Sequence, residues 1–416
     1  MQLSAKMVHE RLAHMKPRLE NCSLETTRKG QNALGEVMRA AHHSRSKVKR
    51  HDFPDFQAAW VMPGDQRRDG VVLYLHGGGY TCGGLEYALG FGSVLADNCG
   101  VRVFCAAYRL APENPFPAAV DDALTAYQYL LKKGYTPNQI SLCGESAGGG
   151  LCFCLCLRLK ELGMELPGSI TAISPWTDLT GSGESYETNR EADVSLSQEQ
   201  LAFYARCYTD DPENPLVSPL FGDLTGMPPT LIFAGGDEIL LSDSENMCRK
   251  LREAGNICRI HVRPERWHAY VLYGLAEDQE DMVILNGFLS RYLSPERKLR
   301  WMRLDNAAKI YPAAQRESWS NVFRLSATLN DRVDTRVLQS ALDVTVRRFP
   351  SMCVRLRRGL FWYYLQQLEH APAIREESSY PVTRMSRREV RSCAFRVIAY
   401  ENRIAVEFFH AVTDGN

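Results

Sequence analysis

The chain has 416 residues, 45% of them hydrophobic and 24% charged. This is the composition of a globular protein of two or three domains, and it excludes disordered, collagen-like and coiled-coil descriptions of the whole chain. Lys+Arg and Asp+Glu both number 49, for a formal net charge of zero, which argues against a nucleic-acid or membrane-surface protein. The zero is a sum. Residues 296–416 carry 21 basic and 13 acidic side chains, a net +8, and residues 1–295 carry the opposing −8. That asymmetry predicts two modules of different chemistry that meet near Pro295.

The chain starts MQLSAKMVHERLAHMK, with early charges and no apolar core of signal-peptide length. No apolar run approaches the roughly 18 residues of a membrane span. The 13 cysteines read as reduced thiols of a cytoplasmic protein. Residues 1–45 carry two weak helical patterns, with Leu3, Met7, Leu12, Met15 and Leu19 on one face and Leu34, Val37, Met38 and Ala41 on another. Beyond them, strand-like runs at 71–75, 101–107, 140–143, 169–174, 230–234 and 257–262 alternate with helical stretches near 85–97, 117–132, 147–162, 243–254 and 269–292. Alternating strands and helices predict an α/β fold with a mostly parallel sheet covered on both faces. Function in such a sheet lies at the carboxyl ends of its strands.

Three motifs fall at those ends. Directly after the run VVLYL stands His76-Gly77-Gly78-Gly79. Glycines there can present backbone N–H groups to an oxyanion. Gly78 and Gly79, together with the N–H of Ala147, are the expected donors, and His76 is expected to brace the loop. Between the run ISLC and the next helix stands Gly144-Glu145-Ser146-Ala147-Gly148, the context of a nucleophile elbow. Among the histidines after Ser146, His261 lies inside a strand, whereas His268 lies in the loop RPERWHAY just past it. A base must reach the serine across the strand ends, so His268 is the expected general base. Asp237 and Glu238 follow TLIFAGG, and either carboxylate could orient His268. Cys152, Cys154 and Cys156 lack metal or redox spacing and read as small buried hydrophobes, and no metal site is expected.

HGGG at 76–79, YRLAPENPFPAAVDD at 108–122, GESAG at 144–148, SPWTDLT at 174–180, SPLFGDLTGMPPTLIFAGGDEIL at 218–240 and WHAY at 267–270 together resemble the hormone-sensitive-lipase-like esterases, the fold-3 branch of the α/β-hydrolases. The resemblance covers roughly residues 1–295. It implies a hydrolase domain over 46–295 and a cap made from helices in 1–45 and the segment near 185–210. The implied chemistry is cofactor-free hydrolysis of short-chain acyl esters through an acyl-serine. The family's D-x-L-x-D pattern, laid on this chain, puts its first acid on Glu238 and its second on Ser242, which favours Glu238 over Asp237. Tyr108, Arg109 and Glu113 are expected to fix loops. The partner is then a small-molecule ester, with neither nucleic acid nor a membrane span, and a homodimer is admitted.

After residue 296 a strand at 319–329, a helix at 334–349 with Asp334 at its N-cap and Pro350 after it, and a hairpin of 394–400 with 403–409 predict a smaller α+β lobe. His410 and Asp414 form H-x-x-x-D-G after the last strand, and LDNAAKIYPA spans 304–313. These resemble CoA-dependent acyltransferases of the alcohol-acetyltransferase and condensation type. The resemblance implies His410 as a base acting on an acceptor, Asp414 as a structural acid, and acyl-CoA as a substrate once the module is complete. The lobe is expected to be a truncated half-domain. Two further readings stand beside the esterase: a bifunctional acyl-transfer enzyme, and a non-catalytic interaction protein. A serine-reactive fluorophosphonate separates the last from the others.

Overall fold

The computed structural model describes residues 4–19, 22–42, 46–293, 301–304, 308–313, 321–349, 351–359, 362–368, 371–378 and 380–412. The chain divides into two compact units, Met1–Pro295 and Glu296–Asn416. Among the described residues no helix is long and apolar enough to cross a membrane.

The first unit opens with helices α1 (Ala5–Leu19) and α2 (Leu24–His42). Strands β1 (Ser46–Asp52), β2 (Gln57–Pro63) and β3 (Val71–Leu75) follow, then α3 (Leu85–Cys99), β4 (Arg102–Ala107), α4 (Ala118–Lys132), β5 (Ile140–Glu145) and α5 (Ala147–Glu161). After β6 (Ser169–Ile173) come α6 (Ser185–Thr188), α7 (Gln198–Tyr208), β7 (Thr230–Gly235), α8 (Leu241–Glu253), β8 (Cys258–Arg263) and α9 (Gln279–Tyr292). The strands form one sheet in the order β1-β2-β4-β3-β5-β6-β7-β8. β1 and β2 are antiparallel, and the pairs from β4 through β8 are parallel.

Strand β3 shows why the run VVLYL has no polar face. Val71, Leu73 and Leu75 join one core with α4, α5 and α8, whereas Val72 and Tyr74 join another with α3 and α9. A strand covered on both faces needs apolar residues at every position, not at alternate ones.

The N-terminal helices bury only part of the faces that their apolar spacing indicates: Leu12 and Met38 pack against the core. In α1, Val8 is buried and Met7 and Met15 are exposed; Leu3 lies outside the described residues. In α2, Leu34 and Val37 are exposed. Its contact face combines Leu24 and Met38 with small and polar residues. A Cβ on Gly35 would lie 2.2 Å from the Glu86 carbonyl, and one on Gly90 would lie 2.7 Å from the Gly35 Cα. Paired glycines bring α2 and α3 together backbone to backbone, so the buried face carries little apolar signal.

The single helix expected over 269–292 is broken. Ala269 and Gly274 take left-handed φ values of 54° and 56° around a short 3₁₀ turn, and the α-helix starts only at Gln279. Strands β1 and β2 precede every run that the apolar pattern singles out. β1 reads SKVKRHD and has no buried residue.

The second unit contains β9 (Trp301–Arg303), α10 (Ile310–Ala313), β10 (Val322–Thr328), α11 (Thr335–Arg348), β11 (Val354–Arg358), β12 (Tyr363–Gln367), β13 (Arg375–Glu376), α12 (Arg387–Ser392), β14 (Phe395–Tyr400) and β15 (Arg403–Phe409). Two sheets result, β10-β15-β14-β13 and β11-β12-β9. The Asp334 carboxylate accepts from the Val337 N–H at the start of α11; Pro350 lies outside the described residues. β14 and β15 form the hairpin turning at Glu401, whose φ is 49°. Under it runs an ion-pair network. Arg324 pairs with Glu377 and Glu407 at 2.6 and 3.0 Å, and Arg396 reaches Glu407 at 2.6 Å. Glu407 is fully buried.

The tightest constraint in the first unit is the approach of α5 to β3. A Cβ on Gly148 would lie 2.1 Å from the Leu75 carbonyl oxygen and 2.4 Å from that of His76. Alanine in a helix gains about 1 kcal/mol over glycine, but no rotamer change relieves a backbone clash, and overpacking costs about 1–3 kcal/mol or more. Gly148→Ala should therefore lower the unfolding free energy of this unit by about 1–2 kcal/mol in urea titration, where a freely exposed helical glycine would give a gain.

Candidate active site

Ser146 sits between β5 and α5 with φ 55° and ψ −125°. A non-glycine residue in that region is strained, and the surroundings hold it there. The Ser146 N–H donates to the Ile173 carbonyl at 2.9 Å, and its own carbonyl accepts from the Trp176 N–H at 2.9 Å. A Cβ on Gly144 would lie 2.3 Å from the Gly148 carbonyl, so both flanking glycines are needed for the turn to close.

The same strand ends carry His268. The Ala269 N–H donates to Ser174 Oγ at 2.9 Å, and Ser174 follows the end of β6 to which Ser146 is bonded. His268 Nδ1 bonds to Glu238 Oε2 at 2.6 Å. Glu238 is fully buried, and its Oε1 accepts from the Gly235 N–H at 2.9 Å. Burial works to lower the His268 pKa. The hydrogen bond and charge of Glu238 outweigh it, so the imidazole titrates above its ordinary value. Asp237, the other acid expected here, is not among His268's partners. Its N–H donates to the Arg266 carbonyl, and burial raises its carboxyl. Among the described residues, no hydrogen bond joins Ser146 Oγ directly to His268.

Gly78 and Gly79 have φ of 114° and 61° in the loop after β3. No hydrogen bond among the described residues uses the N–H groups of Gly78, Gly79 or Ala147. The ring of Tyr204, on α7, packs against Gly79 so closely that a Cβ there would lie 2.3 Å away. His76 braces this loop. Its Nδ1 lies 2.7 Å from the Gly77 carbonyl, its ring stacks on Tyr108 at 4.4 Å, and burial lowers its pKa to about 4. It is therefore neutral near pH 7.

A model of the alpha/beta hydrolase fold matches residues 72–272. An acetyl-hydrolase of Streptomyces hygroscopicus is 38% identical over 237 residues, which cover 56% of this chain and 79% of that one. The chain belongs to the α/β-hydrolase fold family. An esterase of Acinetobacter venetianus is 36% identical over 49% of this chain and 68% of its own. The crystal structure of an esterase from the bacterial hormone-sensitive lipase family superposes with a TM-score of 0.63 at 32% identity, covering 71% of this chain and all of that one. These relatives mark this α/β-hydrolase as a serine carboxylesterase of the hormone-sensitive-lipase-like branch.

Several residues that hold the hydrolase site carry no motif of their own. Asn189 donates to the carbonyls of Gly236 and Glu238, and Asp193 Oδ2 accepts from the Ile239 N–H, so the segment between β6 and β7 grips the Glu238 loop. From α2, Arg28 donates to the carbonyls of Thr81 and Ala111 and to the Glu113 carboxylate. Arg109 pairs with buried Asp122 at 2.7 Å, and the Tyr108 hydroxyl donates to the His76 carbonyl at 2.6 Å. Tyr108, Arg109 and Glu113 thus all fix loops. His261 is taken up by Asp281, 2.7 Å away. Cys152, Cys154 and Cys156 are all buried in α5, and no group of acidic, His and Cys side chains among the described residues is arranged to hold a metal.

Removing the charge of Glu238 leaves the desolvation of His268 opposed only by the charges of Asp193 and Glu145, which count for less. In Glu238→Gln the His268 pKa, followed by the imidazole Cε1–H NMR shift, should fall below its wild-type value. An unchanged titration would show that another group holds the imidazolium.

Proposed function

We propose that this chain hydrolyses esters of short, acetyl-type acyl chains through an acyl-serine on Ser146. The observation that carries the reading is the 2.6 Å bond from His268 Nδ1 to buried Glu238. It favours the tautomer with the proton on Nδ1, leaving Nε2 to accept a proton from a serine hydroxyl. Ser146 Oγ attacks the ester carbonyl as His268 takes its proton, and the imidazolium is stabilised by Glu238. The tetrahedral oxyanion is bound by the N–H groups of Gly78, Gly79 and Ala147, which no hydrogen bond among the described residues uses. Collapse passes the proton to the departing alcohol and leaves the acyl group on Ser146. Water then repeats the sequence and releases the acid. The acetyl preference draws its support from the acetyl-hydrolase relative. All 13 cysteines are free thiols, which fits a reducing, cytoplasmic compartment.

A second reading concerns the C-terminal unit. His410 directly follows β15, with its ring stacked on Tyr311 at 5.0 Å, and its buried Nδ1 has no partner among the described residues. Such a ring suits a base in acyl transfer from acyl-CoA to an alcohol. Asp414 of the same motif lies outside the described residues.

Ser146→Ala should abolish hydrolysis of p-nitrophenyl acetate and labelling by a fluorophosphonate while circular dichroism stays unchanged. Retained turnover would sink the acyl-serine mechanism. For the C-terminal unit, acetyl-CoA-dependent ester formation that survives Ser146→Ala and is lost in His410→Ala would support the second reading. Its absence from the full chain would remove that reading.

A further inference from the structure

Glu145 stands between the end of β5 and the nucleophile, and the steps above give it no task. Its side chain is 1% exposed. Oε1 accepts from the Gly77 N–H at 2.6 Å, and Oε2 accepts from the Tyr74 hydroxyl at 2.5 Å. No Lys or Arg pairs with it among the described residues. The neighbouring His76 is no counter-ion, since burial keeps it neutral. The carboxylate is held by neutral donors, and burial raises its pKa to about 7. A buried acid without a cation is costly to keep.

The geometry shows what it holds. The peptide unit joining His76 to Gly77 is clamped on both sides: its carbonyl accepts from Tyr108 at 2.6 Å, and its N–H donates to Glu145 at 2.6 Å. With both ends bonded, that peptide plane has no freedom to rotate. Gly78 and Gly79 follow at once, with φ of 114° and 61°, and the directions of their N–H groups depend on the plane before them. Gly77 also lies against the nucleophile, since a Cβ there would be 3.0 Å from Ser146 Cβ.

We propose that Glu145 is a positioning residue of the oxyanion site, which by clamping the Gly77 N–H sets the direction in which Gly78 and Gly79 present theirs to the substrate. The inference rests on the esterase reading of that loop and adds a residue to it. The clamp acts on the transition state, because only the tetrahedral oxygen needs the aligned donors. Glutamine at 145 keeps one acceptor oxygen and puts an amide where the other was. Aspartate keeps both oxygens but is one methylene too short to span Tyr74 and Gly77.

The test measures kcat and KM for p-nitrophenyl acetate, and Ki for a trifluoromethyl ketone that forms a tetrahedral adduct on serine, in the full chain carrying E145Q, E145D or Y108F. Losing a whole oxyanion donor costs on the order of 10²–10³ in rate. Misdirecting the donors should cost less, roughly 10- to 100-fold in kcat, with KM within about threefold. Ki for the ketone should rise by the factor that kcat/KM falls. E145Q combined with Y108F should lose less than the product of the single losses, since both act on one peptide unit. If E145Q fails to fold, E145D and Y108F carry the same comparison. Wild-type kcat and Ki in E145Q and E145D would overturn the proposal. So would a fall in kcat with Ki unchanged, which would place the effect on proton transfer. A wild-type chain that turns over no ester and takes up no fluorophosphonate would instead sink the esterase reading, and the role of Glu145 with it.

Discussion

A backbone contact that no side chain could enter governs the first unit. The Cα of Gly148 lies against the carbonyls of Leu75 and His76, and Gly144 lies against Gly148 itself. This lets the first turn of α5 sit directly on the ends of β3 and β5. The serine at the turn is thereby pushed into a backbone region it would otherwise avoid, with φ 55°. The same contact sets the start of α5 against the residue that opens the His76–Gly79 loop. The strain at Ser146 has one cause, the absence of two β-carbons.

The parts of the site that depend on this contact were the most legible in the sequence, because glycine spacing next to an apolar run is local information. His268 was readable for a related reason: it alone of the late histidines stands in a loop just past a strand in the first unit. Choosing between Asp237 and Glu238 by residue chemistry alone was not feasible, since the two are adjacent. What separates them is which side chain turns inward beneath Gly235, and that is tertiary. Glu145 announced itself only as a charge at the end of a buried strand. Its partners, Tyr74 and Gly77, come from another strand and the loop after it.

Elsewhere the apolar pattern misled for physical reasons. Helices α1 and α2 bury only part of their apolar faces, because paired glycines and polar side chains such as Arg28 and Asn32 share the contacts of α2 with Met38. The stretch from Ala269 holds apolar residues at helical spacing, yet two left-handed residues interrupt it. In the C-terminal unit, β9 and β13 are two or three residues long, too short to show a period. The net positive charge of that unit also reads differently in three dimensions. Several of its acids, Glu377, Glu389 and Glu407, are consumed by arginines under the hairpin, so its surplus of arginine partly serves the unit's own interior.

Strand β1 has a consequence beyond the site. It ends the large sheet with Lys47 and Lys49 exposed, and the opposite end, β8, carries an exposed Arg259. A further strand laid on either end would find open main-chain groups, but it would also meet exposed cations. If it came from a second copy of either edge, those cations would face their own kind about 5 Å away. Exposed lysines on an end strand discourage such accretion. The polarity that hid β1 from the hydrophobic pattern is thus a safeguard against the sheet growing into an aggregate.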